Sequence, residues 1–81
     1  VSEDLREFLL FLVQALVDDP DAITLDEELR GQKICYRLVV AEEDKGKIIG
    51  KGGRTARALR LLLGAGAAKQ GMRAELEIVD D

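Results

Sequence analysis

Leu5, Phe8, Leu9, Leu12, Val13 and Leu16 recur at the three- and four-residue spacing of a helix that buries one face. Leu10, Phe11 and Val17 widen the stripe. Ser2 stands where it can cap this helix, with Glu3 and Asp4 favourably placed against the positive end of its dipole. Asp18-Asp19-Pro20-Asp21 ends it, because proline disfavours helical backbone in the residue before it and suits a turn. Two strands follow. Ile23, Leu25 and Leu29 are the apolar points of the first, which is otherwise acidic and fits a sheet edge. Arg30-Gly31-Gln32-Lys33 reads as a hairpin connection. From Ile34 to Val40 the alternation is strict: Ile34, Tyr36, Leu38 and Val40 share one face, and Cys35, Arg37 and Val39 the other.

Glu42-Glu43-Asp44 places acids where a short helix can begin and run to Ile49. A longer helix is expected from Thr55 to about Lys69, with Leu59, Leu62 and Leu63 as its apolar spine and Gly71 as its stop. Gly64 and Gly66 interrupt it. Either Gly64 ends the helix early, or the helix continues and Gly64, Ala67 and Ala68, with Leu61 beside them, make a flat patch that another helix approaches in a dimer. Ala74, Leu76 and Ile78 then alternate with Arg73, Glu75 and Glu77 as a last strand. The order is α-β-β-α-α-β, an α+β domain of three helices and three strands filling residues 1–81.

At 81 residues, one core must do all the folding. The chain has no histidine, no tryptophan and one cysteine, which removes a disulfide framework, the usual Cys/His zinc site and any histidine triad. Ser2, Thr24, Thr55 and Cys35 therefore have no histidine base, so no enzyme is expected, and no metal or cofactor. The acids at 18–21 lack the spacing and distal glutamate of a calcium loop. The run Phe8 to Val13 is too short to span a bilayer, which takes roughly 20 apolar residues. Its flank Ser2-Glu3-Asp4 has the wrong sign for an export signal, so the expectation is a cytoplasmic protein with no membrane partner.

Charge is segregated. Net charge is −4, yet Lys45, Lys47, Lys51, Arg54, Arg57 and Arg60 fall in a segment without a single acid. Nine acids face one base, Arg6, across residues 1–29. Surfaces attract through their local field, because the Debye length is only about 8 Å at physiological salt.

Within the basic segment lies Ile48-Ile49-Gly50-Lys51-Gly52-Gly53-Arg54. Closely spaced glycines let the backbone turn sharply and approach a ligand without Cβ atoms intervening. A helix follows at once, so unpartnered N–H groups and the positive end of its dipole favour an anion. Lys51 sits at the tip, and Arg54 and Arg57 on the first turn beyond; the implied chemistry is phosphate contact. A triphosphate loop is excluded because Gly46 to Gly50 is one residue short and Gly52 occupies the place of the magnesium-binding hydroxyl. A dinucleotide fingerprint fails where Thr55 replaces the third glycine, and Gly64-Ala65-Gly66 fails likewise at Lys69.

Ile48-Ile49-Gly50-Lys51-Gly52-Gly53, within this order of elements, resembles the helix–GXXG–helix signature of type II KH domains. The likeness covers nearly the whole chain. Gly46 to Lys51 and Arg54-Thr55-Ala56-Arg57-Ala58-Leu59-Arg60 resemble more closely the short single-KH RNA-binding proteins of bacteria. Two positions depart from the pattern: Gly52 stands where the family usually has a bulkier polar residue, and Thr55 where KH domains often have an aliphatic one. The resemblance implies a three-stranded sheet against three helices. It implies a groove beside the GXXG loop for single-stranded RNA, contacted by Lys47, Ile48, Ile49, Gly50, Lys51, Gly52, Gly53, Arg54 and Arg57. The apolar wall would be Ile48 or Ile49, whichever is not buried. It also implies a role in RNA regulation, such as an RNA chaperone, as a homodimer or with a larger KH-containing partner. Two alternatives stay open: a single-stranded DNA binder, and a protein-interaction adaptor with a vestigial groove. The few aromatics exclude a stacking platform of the RRM or OB kind.

Overall fold

The computed structural model describes residues 2–79, Ser2 by its backbone alone, so the Ser2 cap lies outside the described residues. Helix α1 (Ser2–Leu16) buries Leu5, Leu9 and Val13, and the stripe continues to Val17 beyond its end. Each lies four residues after the last, so the buried face is narrower than the apolar pattern suggests. Leu10, Leu12 and Leu16 flank it, half-buried. Phe8 and Phe11, expected in the core, are instead exposed. A single 3-10 turn, Pro20–Ala22, carries the chain from α1 into the sheet.

Strands β1 (Thr24–Arg30) and β2 (Lys33–Val39) pair antiparallel through the two-residue turn at Gly31 and Gln32, with Leu25 opposite Leu38. Strand β3 (Arg73–Ile78) pairs parallel to β2, with Ile34 opposite Ala74 and Tyr36 opposite Leu76. The order β1-β2-β3 leaves the acidic β1 at an edge, as its composition requires. Ile34, Tyr36, Leu38 and Val40 are all buried on the face that meets the helices. Burial, and then the neighbouring Glu27 carboxylate, pushes the Tyr36 phenol above its ordinary pKa. The other sheet face carries cross-strand ion pairs, Lys33–Glu75 at 3.2 Å and Arg37–Glu77 at 3.6 Å.

Parallel strands cannot be joined by a tight turn, so a crossover must link β2 to β3. That crossover comprises a 3-10 turn (Glu42–Asp44), α2 (Lys45–Ile49), a second 3-10 turn (Lys51–Gly53) and α3 (Arg54–Ala68). Helix α3 buries Ala56, Leu59, Leu63 and Ala67; Leu62, expected in the spine, is exposed. The helix passes through Gly64 and Gly66, so the early stop does not occur. It ends where the Gly71 N–H reaches the Ala68 carbonyl (3.0 Å) and the Met72 N–H the Ala67 carbonyl (2.9 Å), a Schellman closure. Ala67 is wholly buried, which removes it from the surface patch and leaves Leu61, Gly64 and Ala68.

The two helical glycines differ. A Cβ on Gly66 would lie 2.8 Å from Leu5 Cδ1, whereas one on Gly64 would meet nothing within 4 Å. At Gly66, then, α1 packs closely on α3. Gly64→Ala should gain about 1 kcal/mol of helix propensity and raise the melting temperature by roughly 4–8 °C. Gly66→Ala should gain much less or lose stability, because buried Leu5 must move. Equal gains in thermal melts of the two variants would contradict this packing.

Candidate nucleic-acid interface

The Gly50–Gly53 loop joins α2 to α3, and its backbone explains the glycines. Gly50 adopts φ 77°, ψ 168°, a region open essentially to glycine alone. A Cβ there would also sit 2.3 Å from Thr55 Oγ1 and 2.7 Å from Thr55 N. No other residue fits at Gly50. Gly52 (φ 64°, ψ 19°) has open space around it, so a polar residue that tolerates left-handed backbone is sterically acceptable there. The Gly53 N–H bonds the Gly50 carbonyl (3.1 Å), and Arg57 Nη1 donates to the Gly52 carbonyl (2.9 Å). Arg57 therefore shapes the loop from within, a role invisible in its sequence position.

Neither Gly50 nor Gly53, the residues preceding the two helical turns, provides a side-chain cap. The Gly53 and Arg54 N–H groups bond the Gly50 and Lys51 carbonyls through the 3-10 turn, and the positive end of the α3 dipole, with no acid in its first turn, favours an anion there. Lys51 and Arg54 are exposed at this end, with no acid at ion-pair distance among the described residues.

The rest of the basic segment is partly neutralised. Lys45 is buried and paired with Glu42 at 3.1 Å. Lys47 bonds Asp18 and lies 3.5 Å from Asp44, so its charge is directed toward the end of α1. The bond to Asp18 holds the Lys47 ammonium above its ordinary pKa, against the effect of burial. Arg60 reaches across to the Leu76 carbonyl (3.2 Å) and ties α3 to the edge strand β3. Of the two branched residues before the loop, Ile48 is fully buried and belongs to the core; Ile49 keeps accessible surface.

Sequence reasoning missed Asp44. Counted there as one of three acids opening a helix, it is instead 0% exposed. Its two carboxylate oxygens accept the N–H groups of Asp18 and Asp19, each at 3.1 Å. The Asp18 amide, then the Asp19 amide and Lys47, hold this carboxyl below the ordinary carboxylate range even though burial opposes it. Nothing in the local pattern separates Asp44 from Glu42 and Glu43; only the reach across 26 residues to Asp18 distinguishes it.

A helix–glycine loop–helix crossover between parallel strands, preceded by an antiparallel hairpin and a covering helix, is the arrangement of a type II KH domain. A model described as the KH domain of KhpA/KhpB matches residues 6–78. Three curated relatives, each called RNA-binding protein KhpA, match nearly end to end. That of Chlamydia trachomatis serovar D is 43% identical over 77 residues, covering 95% of this chain and 99% of the relative. That of Borreliella burgdorferi is 48% identical over 75 residues (91% and 90%), and that of Bacillus subtilis 40% over 79 residues (98% of each). The chain belongs to the KhpA/KhpB KH-domain family, a family of binding proteins rather than enzymes.

Because Asp44 titrates lower folded than unfolded, its contribution to stability is full above the ordinary carboxylate pKa and is lost as pH falls through the depressed value. Asp44→Asn should lower the melting temperature at about pH 7 by on the order of 5 °C or more, with the gap to wild type closing as pH falls below the ordinary carboxylate range. A gap that stays constant across that range would show that the carboxylate charge does not matter.

Proposed function

We propose that the chain binds single-stranded RNA, clamping the backbone of about four nucleotides at the Gly50–Gly53 loop without a cofactor. The loop carries the reading. It offers the positive end of the α3 dipole, a glycine tip that admits a backbone, and the unpaired cations Lys51 and Arg54. Elsewhere the protein is acidic, which directs phosphate to this place. Ile49 supplies aliphatic surface for a base, and the names of the relatives agree with an RNA ligand. Lys47 and Ile48 drop to supporting roles, one neutralising Asp18 and the other holding α2 to the core.

Lys51→Asp with Gly52→Asp should abolish RNA binding while costing only a few degrees of melting temperature, since both side chains face solvent. For wild type, three or so neutralised phosphates at roughly 0.7 counterions each give a log–log salt slope near −2. Anisotropy titrations of short RNA and of DNA of the same sequence check both the affinity and the choice between the two. A folded double variant with wild-type affinity, or a slope beyond about −6, would refute the clamp.

In the proposed setting the protein acts in the bacterial cytoplasm as a post-transcriptional regulator or RNA chaperone, as a homodimer or beside a larger KH-containing protein. Among the described residues no helix is long and apolar enough to cross a membrane. Leu61, Gly64 and Ala68 share one stripe of α3 with Arg57, and Leu61 is 75% exposed. Joining two copies here would put two weak RNA sites on one particle and raise affinity through effective concentration. Ala68→Glu should shift sedimentation toward monomer and weaken binding to RNA long enough to span two loops. A wild type that sediments only as an 8.9 kDa species at several hundred micromolar would leave only the larger partner.

A further inference from the structure

Both phenylalanines of the chain reach solvent, Phe11 at 68% exposure and the partly packed Phe8 at 39%, while Leu5, Leu9 and Val13 fill the core beneath the same helix. Asp4, Phe8, Phe11 and Ala15 succeed one another at helical spacing, and all four are exposed. They form one continuous stripe along α1. Glu3 and Glu7 border its N-terminal half, also exposed. Arg6, the single base of the first 29 residues, does not offset them there: its guanidinium donates to the Leu25 carbonyl at 2.7 Å, on the sheet side.

We infer that this stripe docks a basic amphipathic helix of a partner protein, its apolar residues on Phe8 and Phe11 and its lysines or arginines against Asp4 and Glu7. The charge pattern selects the occupant. A second copy meeting the stripe in parallel would set acid against acid, and an antiparallel one would set Asp4 against Ala15 with no cation to answer it. RNA or an anionic lipid surface would be repelled by the same carboxylates. A basic helix gains ion pairs and places its cations over phenyl faces. The inference goes beyond RNA binding and does not rest on it, because the glycine loop lies on other elements.

The test uses the full chain and a synthetic probe, a helical peptide of about 18 residues with leucine and lysine on opposite faces, beside its glutamate-for-lysine counterpart. The lysine peptide should bind, the glutamate peptide should not, and Phe8→Ala with Phe11→Ala should weaken binding by roughly tenfold or more while the far-ultraviolet circular dichroism stays that of the folded protein. The Lys51→Asp, Gly52→Asp variant should bind the peptide as wild type does. Equal affinity of wild type and the phenylalanine double variant would overturn the proposal. So would a Phe11-dependent dimer in sedimentation, which would make a second copy the occupant, or Phe11-dependent binding to vesicles of anionic phospholipid.

Discussion

A single buried carboxylate connects the parts of this protein. Asp44 sits at the point where the central strand gives way to α2, and its oxygens hold the two amides that follow α1. A buried charge is tolerated only when hydrogen bonds replace its water, and here backbone N–H groups and the Lys47 ammonium do so. The consequence is geometric. Helix α2 spans five residues, too short to hold its own direction, so its orientation is borrowed from α1 through Asp44 and from the core through Ile48. The glycine loop begins where α2 ends, and inherits that placement.

The same contact changes the electrostatics. The basic stretch of the sequence contains six cations, but Lys45 and Lys47 answer to nearby acids and Arg57 and Arg60 donate to backbone carbonyls. What faces solvent without a protein partner is narrower: Lys51 within the glycine loop and Arg54 directly after it, among the described residues. A small, local positive site on an acidic body favours contact with a few phosphates and disfavours a long electrostatic track.

Much of this was legible in the sequence, for identifiable reasons. Strands write their burial in a period of two, so Ile34, Tyr36, Leu38 and Val40 could be assigned to the core directly. The Gly50 requirement was legible too, because a positive φ and a blocked Cβ leave their mark as glycine. Helix faces were less readable. With apolar residues at every position from Phe8 to Val13, and again from Leu61 to Leu63, the pattern marks a helix without saying which residues it buries, and Phe8, Phe11 and Leu62 were misplaced for that reason. Contacts between distant segments left no local sign at all. Asp44 with Asp18, Lys47 with Asp18, and Gly66 with Leu5 each depend on tertiary placement.

In the proposed clamp, phosphate is held at the Gly50–Gly53 loop. Amide chemical-shift mapping tests it most directly, with isotope-labelled protein titrated by a short single-stranded RNA. The largest shifts are expected at Lys51, Gly52, Gly53 and Arg54, with a lesser response at Ile49 and little change on the outward sheet face at Cys35 and Arg37. Shifts centred on that sheet face or on α1, with the loop amides unmoved, would contradict it.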